Sequence, residues 1–247
     1  MPVAKADLHI HTRCSDGMAS IEQVLEFVER QTGLDVIAIT DHEDARGGLR
    51  ARELAAKRGY RFEVVAGAEI TTLNGHLLGL FLESTPKSFR RVERTLEAIH
   101  SAGGLAIAPH PLSWTTRSLS KRTLDRLCAA GEPGITFDAI ELANPSPAGA
   151  HAGRKAARHN ASAWRLPATG GSDAHHLKCV GTGWTEFPGK SAEDLRAAIL
   201  EGTVAAGMTR YPSLLEVGLH RVAMQLAWGY SATPRKILGG SRGHGKG

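Results

Sequence analysis

Short apolar runs rich in Val, Ile and Leu recur along this chain with helical patterns between them, and no other feature constrains its fold as much. Runs of that length fit buried strands, and strands alternating with helices build repeated βα units on a mostly parallel sheet. Strands are predicted at Ala6–Ile10, Val36–Thr40, Glu63–Ala68, Leu77–Leu82, Leu105–Ala108, Ala139–Leu142 and Pro167–Thr169. Intervening helices have readable starts: Ser20 with Gln23 forms a capping-box pattern, and Ser191 with Asp194 resembles one. A chain of 247 residues, 42% hydrophobic and 22% charged, can bury one core of the size of a single α/β barrel. Residues 1–210 are therefore expected to form one catalytic barrel.

Beyond a segment around Thr203 to Met208, residues 211–247 read as a C-terminal helical extension. Pro212 is expected to open a helix with Leu215, Leu219, Val222 and Leu226 on one face, packed against the barrel. From Gly239 onward no apolar residue anchors the chain, so that basic tail is expected to be disordered. The net charge of +5 is concentrated here. Arg221, Arg235, Lys236, Arg242 and Lys246 face only Glu216, which gives +4 and leaves +1 for the rest. A nearly neutral body and 5% aromatic residues do not favour nucleic acid as the partner. No apolar run reaches the roughly 18 residues a membrane span needs, and Met1 to Ala6 lacks the apolar core of a signal peptide, so a cytoplasmic protein without a membrane partner is expected. Cys14, Cys128 and Cys179 are odd in number and widely spaced, which suggests reduced thiols rather than a disulfide framework. The oligomeric state is not written in these patterns.

The chemistry lies where the strands end. The first runs into Asp7-Leu8-His9-Ile10-His11 and then Asp16; the second ends at Asp41-His42, the third at Glu69 and the fifth at His110-Pro111. The last runs into Gly171-Ser172-Asp173-Ala174-His175. Carboxyl ends of strands form the active-site face of barrels and open α/β sheets, so separate elements point donors at one place. Alternate residues of a strand project the same way, so His9 and His11 can share one ion. Buried imidazoles and carboxylates clustered without metal would be costly to desolvate.

Asp7-Leu8-His9-Ile10-His11-Thr12 with Ser15-Asp16-Gly17, Ile39-Thr40-Asp41-His42, Gly67-Ala68-Glu69, Ala108-Pro109-His110-Pro111 and Gly171-Ser172-Asp173-Ala174-His175 resemble the successive motifs of the polymerase and histidinol phosphatase (PHP) superfamily. The order and spacing match over roughly residues 5 to 185. The resemblance implies a distorted (β/α)7 TIM-like barrel and a centre of two or three divalent ions with phosphoesterase activity. It implies that His9, His11, Glu69 and Asp173 hold one ion, with Glu69 bridging to a second held by His110. His76 fits as another ligand of the second, since Gly75-His76-Leu77-Leu78-Gly79-Leu80 resembles the family segment after the glutamate. Asp16, His42 and His175 would hold the third. Glu69, Asp173 and His175 are implied as catalytic residues. Asp7 and Asp41 read as acceptors that fix imidazole orientation, and Asp7 can equally hydrogen-bond backbone.

Imidazoles and carboxylates without thiolates suit zinc, manganese or iron(II), and ligand type alone does not choose among them. Paired ions can lower the pKa of a shared water towards about 7, so hydrolysis by a metal-bound hydroxide is implied. By position, Arg117, Asn144, Arg154 and Lys178 are candidates for holding a small phosphorylated substrate, such as a nucleotide or sugar phosphate. The remaining histidines, His100, His151 and His159 on predicted helices and His176 beside a ligand motif, read as surface or supporting groups. The competing functions are a nuclease acting on oligonucleotide ends, which needs a binding groove, and a metal-dependent amidohydrolase, whose barrels also begin with HxH but fit Asp41-His42 and Glu69 poorly.

Overall fold

The computed structural model of this chain describes residues 2–220 and 224. Among the described residues nine strands form one sheet: β1 (Val3–Ile10), β2 (Val36–Ile39), β3 (Glu63–Thr71), β4 (His76–Leu80), β5 (Leu105–Ala108), β6 (Ala139–Ala143), β7 (Ala168–Gly170), β8 (Gly183–Pro188) and β9 (Ala205–Met208). Their order is β7-β6-β5-β4-β3-β2-β1-β8-β9. The sheet curls until its ends meet. Thr185 Oγ1 on β8 donates to Gly170 O on β7 (3.0 Å), and His11 N just past β1 donates to Ala174 O just past β7 (2.9 Å). The result is the nearly closed, distorted TIM-like barrel that the family resemblance implies.

Helices α1 (Ile21–Gln31), α2 (Arg46–Arg58), α3 (Val92–Ser101), α4 (Lys121–Ala130) and α5 (Gly153–His159) follow β1, β2, β4, β5 and β6. The capping boxes at Ser20 and at Ser191, which starts α6 (Ala192–Glu201), are both formed. Val24, Leu25 and Val28 of α1 and Ala51 and Ala55 of α2 cover Ile10, Ile37 and Ile39 on the outside of the sheet. Leu96 and Ile99 of α3 and Leu124 and Leu127 of α4 do the same for Ile70, Ala106 and Ile140.

The barrel interior holds a third cluster: Ala6, Leu8, Val36, Ala38, Val65, Leu78, Leu80, Leu105, Ile107 and Ala139, with Leu195 and Ile199 of α6 packed against them. Apolar packing thus fills the lumen from its amino-terminal end. The next inward positions along the same strands are polar: Glu69 lies beyond Val65 and Gly67, and Glu141 beyond Ala139.

β1 reaches this layer through an irregularity. Asp7 pairs with Ile37 but Ile10 pairs with Ile39, so β1 carries one extra residue between them. A bulge of this kind shifts the inward–outward phase. Ala6 and Leu8 face the lumen before it, Ile10 faces α1 and α2 after it, and His9 and His11 turn inward.

Two features depart from a mostly parallel reading. β4 runs antiparallel to both β3 and β5, and β8 runs antiparallel to β1 and β9. At the carboxyl terminus, Ser213 caps a single turn, α7 (Leu214–Val217), which stops at Gly218 with φ 101°. Val217 is buried, whereas Leu215 and Leu219 of the expected buried stripe are 79% and 59% exposed. The early stop breaks the stripe's spacing. Val222, Leu226 and the tail from Gly239 lie outside the described residues. Among the described residues no helix is long and apolar enough to cross a membrane.

Candidate metal centre

Nine side chains from separate βα units converge above the apolar lumen: His9, His11, Asp16, His42, Glu69, His76, His110, Asp173 and His175. They fall into overlapping groups: His9, His11 and Asp173; His9, Glu69 and His110; His42, Glu69 and His76; and His11, Asp16, His42 and His175. Glu69 stands at the middle. Its Oε2 is 3.3 Å from both His9 Nε2 and His11 Nε2, and its Oε1 is 2.9 Å from His110 Nε2 and 2.8 Å from His76 Nδ1. Asp173 Oδ1 completes the first set at 3.6 Å from His9 Nε2 and 3.5 Å from His11 Nε2. Opposite, Asp16 Oδ2 lies 3.1 Å from His175 Nε2 and 3.8 Å from His42 Nε2.

These donors fit metal better than they fit one another. Both ring nitrogens of His11, Nδ1 of His42 and of His76, and Oδ1 of Asp16 are buried without a hydrogen-bond partner. Orphaned buried polar atoms are rare because each costs about 1–3 kcal/mol. Here the lone pairs approach closely without aligning, as they do when aimed at a common point. Around His9 and His11 the imidazole nitrogens lie 3.3 to 3.6 Å from Glu69 Oε2 and Asp173 Oδ1, close enough to be drawn onto shared ions.

Local backbone choices make this convergence possible. β4 begins where β3 ends, with Thr71 opposite His76, so the first residue of an antiparallel strand reaches the same barrel end as the last residues of parallel ones. Gly75, at φ 139°, has no room for a Cβ, which would sit 2.5 Å from the carbonyl carbon of Ser118. That close approach lets His76 N donate to Arg117 O (2.9 Å) while Ser118 Oγ meets His110 Nδ1 at 2.8 Å. His110 and Asp173 both have positive φ, 29° and 52°. His110 is held there by its N–H donating to Glu141 Oε2 at 2.8 Å.

Glu141 was not singled out from the sequence, and it does what Asp7 and Asp41 were expected to do. His9 Nδ1–H donates to Glu141 Oε1 (3.0 Å), which leaves Nε2 free to face the cluster. The available signal was an acid inside the apolar strand AIELA, at its carboxyl end. Asp7 follows its backbone alternative, accepting from Ser172 N (2.9 Å) and Gly181 N (2.7 Å) as well as Ser172 Oγ (2.6 Å), which ties β1 to the loops after β7. Asp41 accepts from Thr12 N, Thr12 Oγ1 and Ser15 Oγ, which fixes the turn carrying Asp16. Short loop groups satisfy both carboxylates before any imidazole reaches them.

The candidate substrate residues divide. Asn144 is buried, with Nδ2 donating to Glu141 Oε2 (2.8 Å) and Oδ1 accepting from Ser146 N (2.9 Å), so its amide supports the centre. Lys178 Nζ donates to Glu216 O at 2.8 Å and so is tied to the α7 turn. Arg154 is exposed on α5. Arg117 is exposed beside His76, its guanidinium 3.4 Å from Thr72 O and stacked 6.0 Å from the Phe89 ring. Of the helix histidines, His100 is not merely solvated: Nε2 pairs with Asp138 at 2.9 Å and Nδ1 lies 2.9 Å from Gly134 O.

Carboxylates and imidazoles in the centre act strongly on one another. Burial alone would hold His9 and His11 neutral, but Glu141, Asp173 and Glu69 raise His9 well above the imidazole range, and Asp173, Glu69 and Asp16 carry His11 to about 10. Burial likewise opposes ionisation of Asp16, Glu69 and Asp173, yet the surrounding imidazoles hold all three below the carboxylate range. His42 goes the other way, to about 3, through burial and the neighbouring His11 and His76. A field that draws protons onto imidazoles draws divalent cations by the same attraction.

The family model described as PHP domain matches residues 7–125, and the one described as PHP-associated matches 153–204. The chain belongs to the PHP family. Membership assigns the class of chemistry, metal-dependent hydrolysis of phosphate esters. Among PHP relatives, an uncharacterized protein of Methanocaldococcus jannaschii is 42% identical over 57% of this chain and 81% of its own length. A phosphoribosyl 1,2-cyclic phosphate 1,2-diphosphodiesterase of Eggerthella lenta is 36% identical over 57% of this chain and 48% of its own. The 5'-3' exoribonuclease Rnm of Salmonella typhimurium is 29% identical over 56% and 43%. This chain thus spans about half of those two enzymes. A two-domain PHP-like protein from Bacteroides vulgatus superposes with a TM-score of 0.65 at 22% identity, over 84% of this chain and 65% of its own, which shows the shared PHP fold.

Proposed function

We propose that this PHP chain hydrolyses a small phosphorylated substrate, a nucleotide or a sugar phosphate, at a centre of two or three divalent ions. The orphaned imidazole and carboxylate atoms around Glu69 carry this reading. In it, His9, His11, Glu69 and Asp173 hold one ion, Glu69, His76 and His110 a second, and Asp16, His42 and His175 a third. His11 and His42 stand between groups, with one ring nitrogen towards Asp16 and the other towards Glu69. Bound there, divalent ions supply an activated water and neutralise phosphoryl oxygens in an in-line displacement.

The chain's own residues set the terms of that chemistry. Glu141 holds His9 in one tautomer, and the Asp173 carbonyl, 3.0 Å from Nδ1, does so for His175, each leaving the Nε2 lone pair for the cluster. Ser118 Oγ fixes the orientation of the His110 ring through Nδ1. Ser146 Oγ donates to Asp173 Oδ2 (2.9 Å), which leaves Oδ1 for the cluster. The apolar lumen beneath excludes water from that side, so substrate and water enter only from the loop face. In this reading the exposed Arg117, whose backbone carbonyl accepts from His76 N, meets an anionic group of the substrate.

The relatives support a phosphate ester but differ in its size, since one is named for a cyclic ribose phosphate and another for RNA. A nuclease acting on oligonucleotide ends is the second reading. The test is turnover by the manganese-loaded full chain on adenosine 5'-monophosphate, ribose 5-phosphate, a ribose cyclic phosphate and a short oligoribonucleotide. Turnover of the small esters is expected to exceed that of the oligomer. Hydrolysis of the oligomer alone would favour the nuclease, and hydrolysis of none would overturn the phosphoesterase reading of this chain.

A further inference from the structure

Trp114 is 82% exposed, more than any other large apolar side chain among the described residues. An indole left in water has a cost, yet this one is held in place. Its backbone N–H donates to His151 Nε2 (3.3 Å), and the two rings pack edge to face with centroids 5.4 Å apart and planes at 64°. His151 Nδ1 faces Pro147 O at 3.3 Å, so one tautomer, with hydrogen on Nδ1, satisfies both contacts.

The pair spans two loops that reach the metal centre directly. Trp114 lies four residues after His110, in a loop where Ser113 N donates to His110 O (3.3 Å) and Ser118 holds the His110 ring. His151 belongs to the loop after β6, where Ser146 bonds Asp173. Thr115 Oγ1 donates to Pro147 O (3.3 Å) and joins the two loops. Even with His151 packed against it the indole is 82% exposed, on the loop that carries His110. Arg117, an exposed cation, comes from the first of these loops, and Arg154, also exposed, from the start of α5 just after the second.

We infer that Trp114, braced by His151, is a stacking platform for the base of a nucleotide whose phosphate lies at the metal centre. The inference rests on the phosphoesterase reading above and selects a nucleotide over a bare sugar phosphate within it. A single platform suits one base, in keeping with the low aromatic content, and stacking on it is sequence-tolerant because every base has a π face. His151 acts as a positioning residue, since it touches the indole and not the base.

Stacking of this kind contributes about 1–3 kcal/mol, or about fivefold to a hundredfold. Trp114→Ala is therefore expected to lower the ratio of kcat/KM for adenosine 5'-monophosphate over ribose 5-phosphate by that factor. Trp114→Phe should restore most of the ratio, and His151→Ala should lower it less. Indole emission gives a readout independent of turnover: adenosine 5'-monophosphate should quench the full chain, ribose 5-phosphate should not, and the adenosine-specific quench should vanish in Trp114→Phe. A ratio unchanged by Trp114→Ala, or equal quenching of the full chain and Trp114→Phe, would overturn the platform. Absence of turnover on every ester would instead count against the phosphoesterase reading, while the emission experiment would still decide the platform.

Discussion

Along β3, Val65 and Glu69 both face the lumen, and along β4 Leu80, Leu78 and His76 do so in the opposite direction, yet the two ends of this inward row do opposite work. The lower layer of Val65, Leu78, Leu80, Leu105 and Ile107 is fully apolar and buried, and each side chain there contributes about 1.5–3 kcal/mol by leaving water. The upper layer buries Glu69, His9, His11 and His110 just as deeply, where desolvation costs free energy and part of the donor set has no hydrogen-bond partner. One strand pattern builds both. The stability of the lower layer holds the upper one in an arrangement its own interactions would not choose.

The comparison is broken most sharply at Glu69. Glu69→Gln keeps the shape but removes the charge that five imidazoles face, so turnover should fall by about a hundredfold to a thousandfold while circular dichroism is unchanged. Near-normal turnover would remove Glu69 from the centre's chemistry. One layer down, Leu78→Ala should destabilise the fold by about 2–5 kcal/mol in urea unfolding. Its metal content per folded chain should match the parent, and loss of metal under native conditions would show that the layers are not separable. Glu141→Gln lies between the two, because an amide is a poorer acceptor for His9 Nδ1–H, and should weaken metal binding by about tenfold to a hundredfold in a competition titration. An unchanged affinity would mean that His9 orients without it.

Much of this arrangement was legible because the strand period and donor chemistry coincide. His9, His11, His42, Glu69, His110, Asp173 and His175 follow strand ends that apolar runs mark by themselves. His76 precedes its strand instead of ending one, and it reaches the centre because that strand runs antiparallel. Strand direction is set by partners distant in sequence, which local pattern does not carry. The same limit hid β8, whose antiparallel pairing with β1 brings residues 3–6 against 185–188. Side-chain partners were the least readable level. Nothing near Asn144 in sequence announces that its amide bonds Glu141, and nothing near Asp41 announces Thr12 and Ser15.

The smallest predicted effect lies away from the centre, at a pair built in the ordinary way. His100 donates to Asp138, and that bond first, with Gly134 O aiding and burial opposing, raises its pKa above the usual value. Because the folded value is the higher one, the stabilisation is fully present below the unfolded pKa of about 6.5 and is lost as pH rises through the folded pKa. His100→Gln should therefore lower Tm more at pH 5.5 than at pH 9. The difference should be small, since the ring is partly open to solvent. Equal losses at both pH values would show that the pair acts through shape alone.

The central claim is that the upper layer is a multinuclear metal centre, and counting ions tests it most directly. The full chain, stripped with chelator and refilled with manganese or zinc, should retain two or three ions after equilibrium dialysis, measured by elemental analysis against protein concentration. Glu69→Gln should retain fewer. A parent chain that never holds more than one ion under either metal would contradict the account.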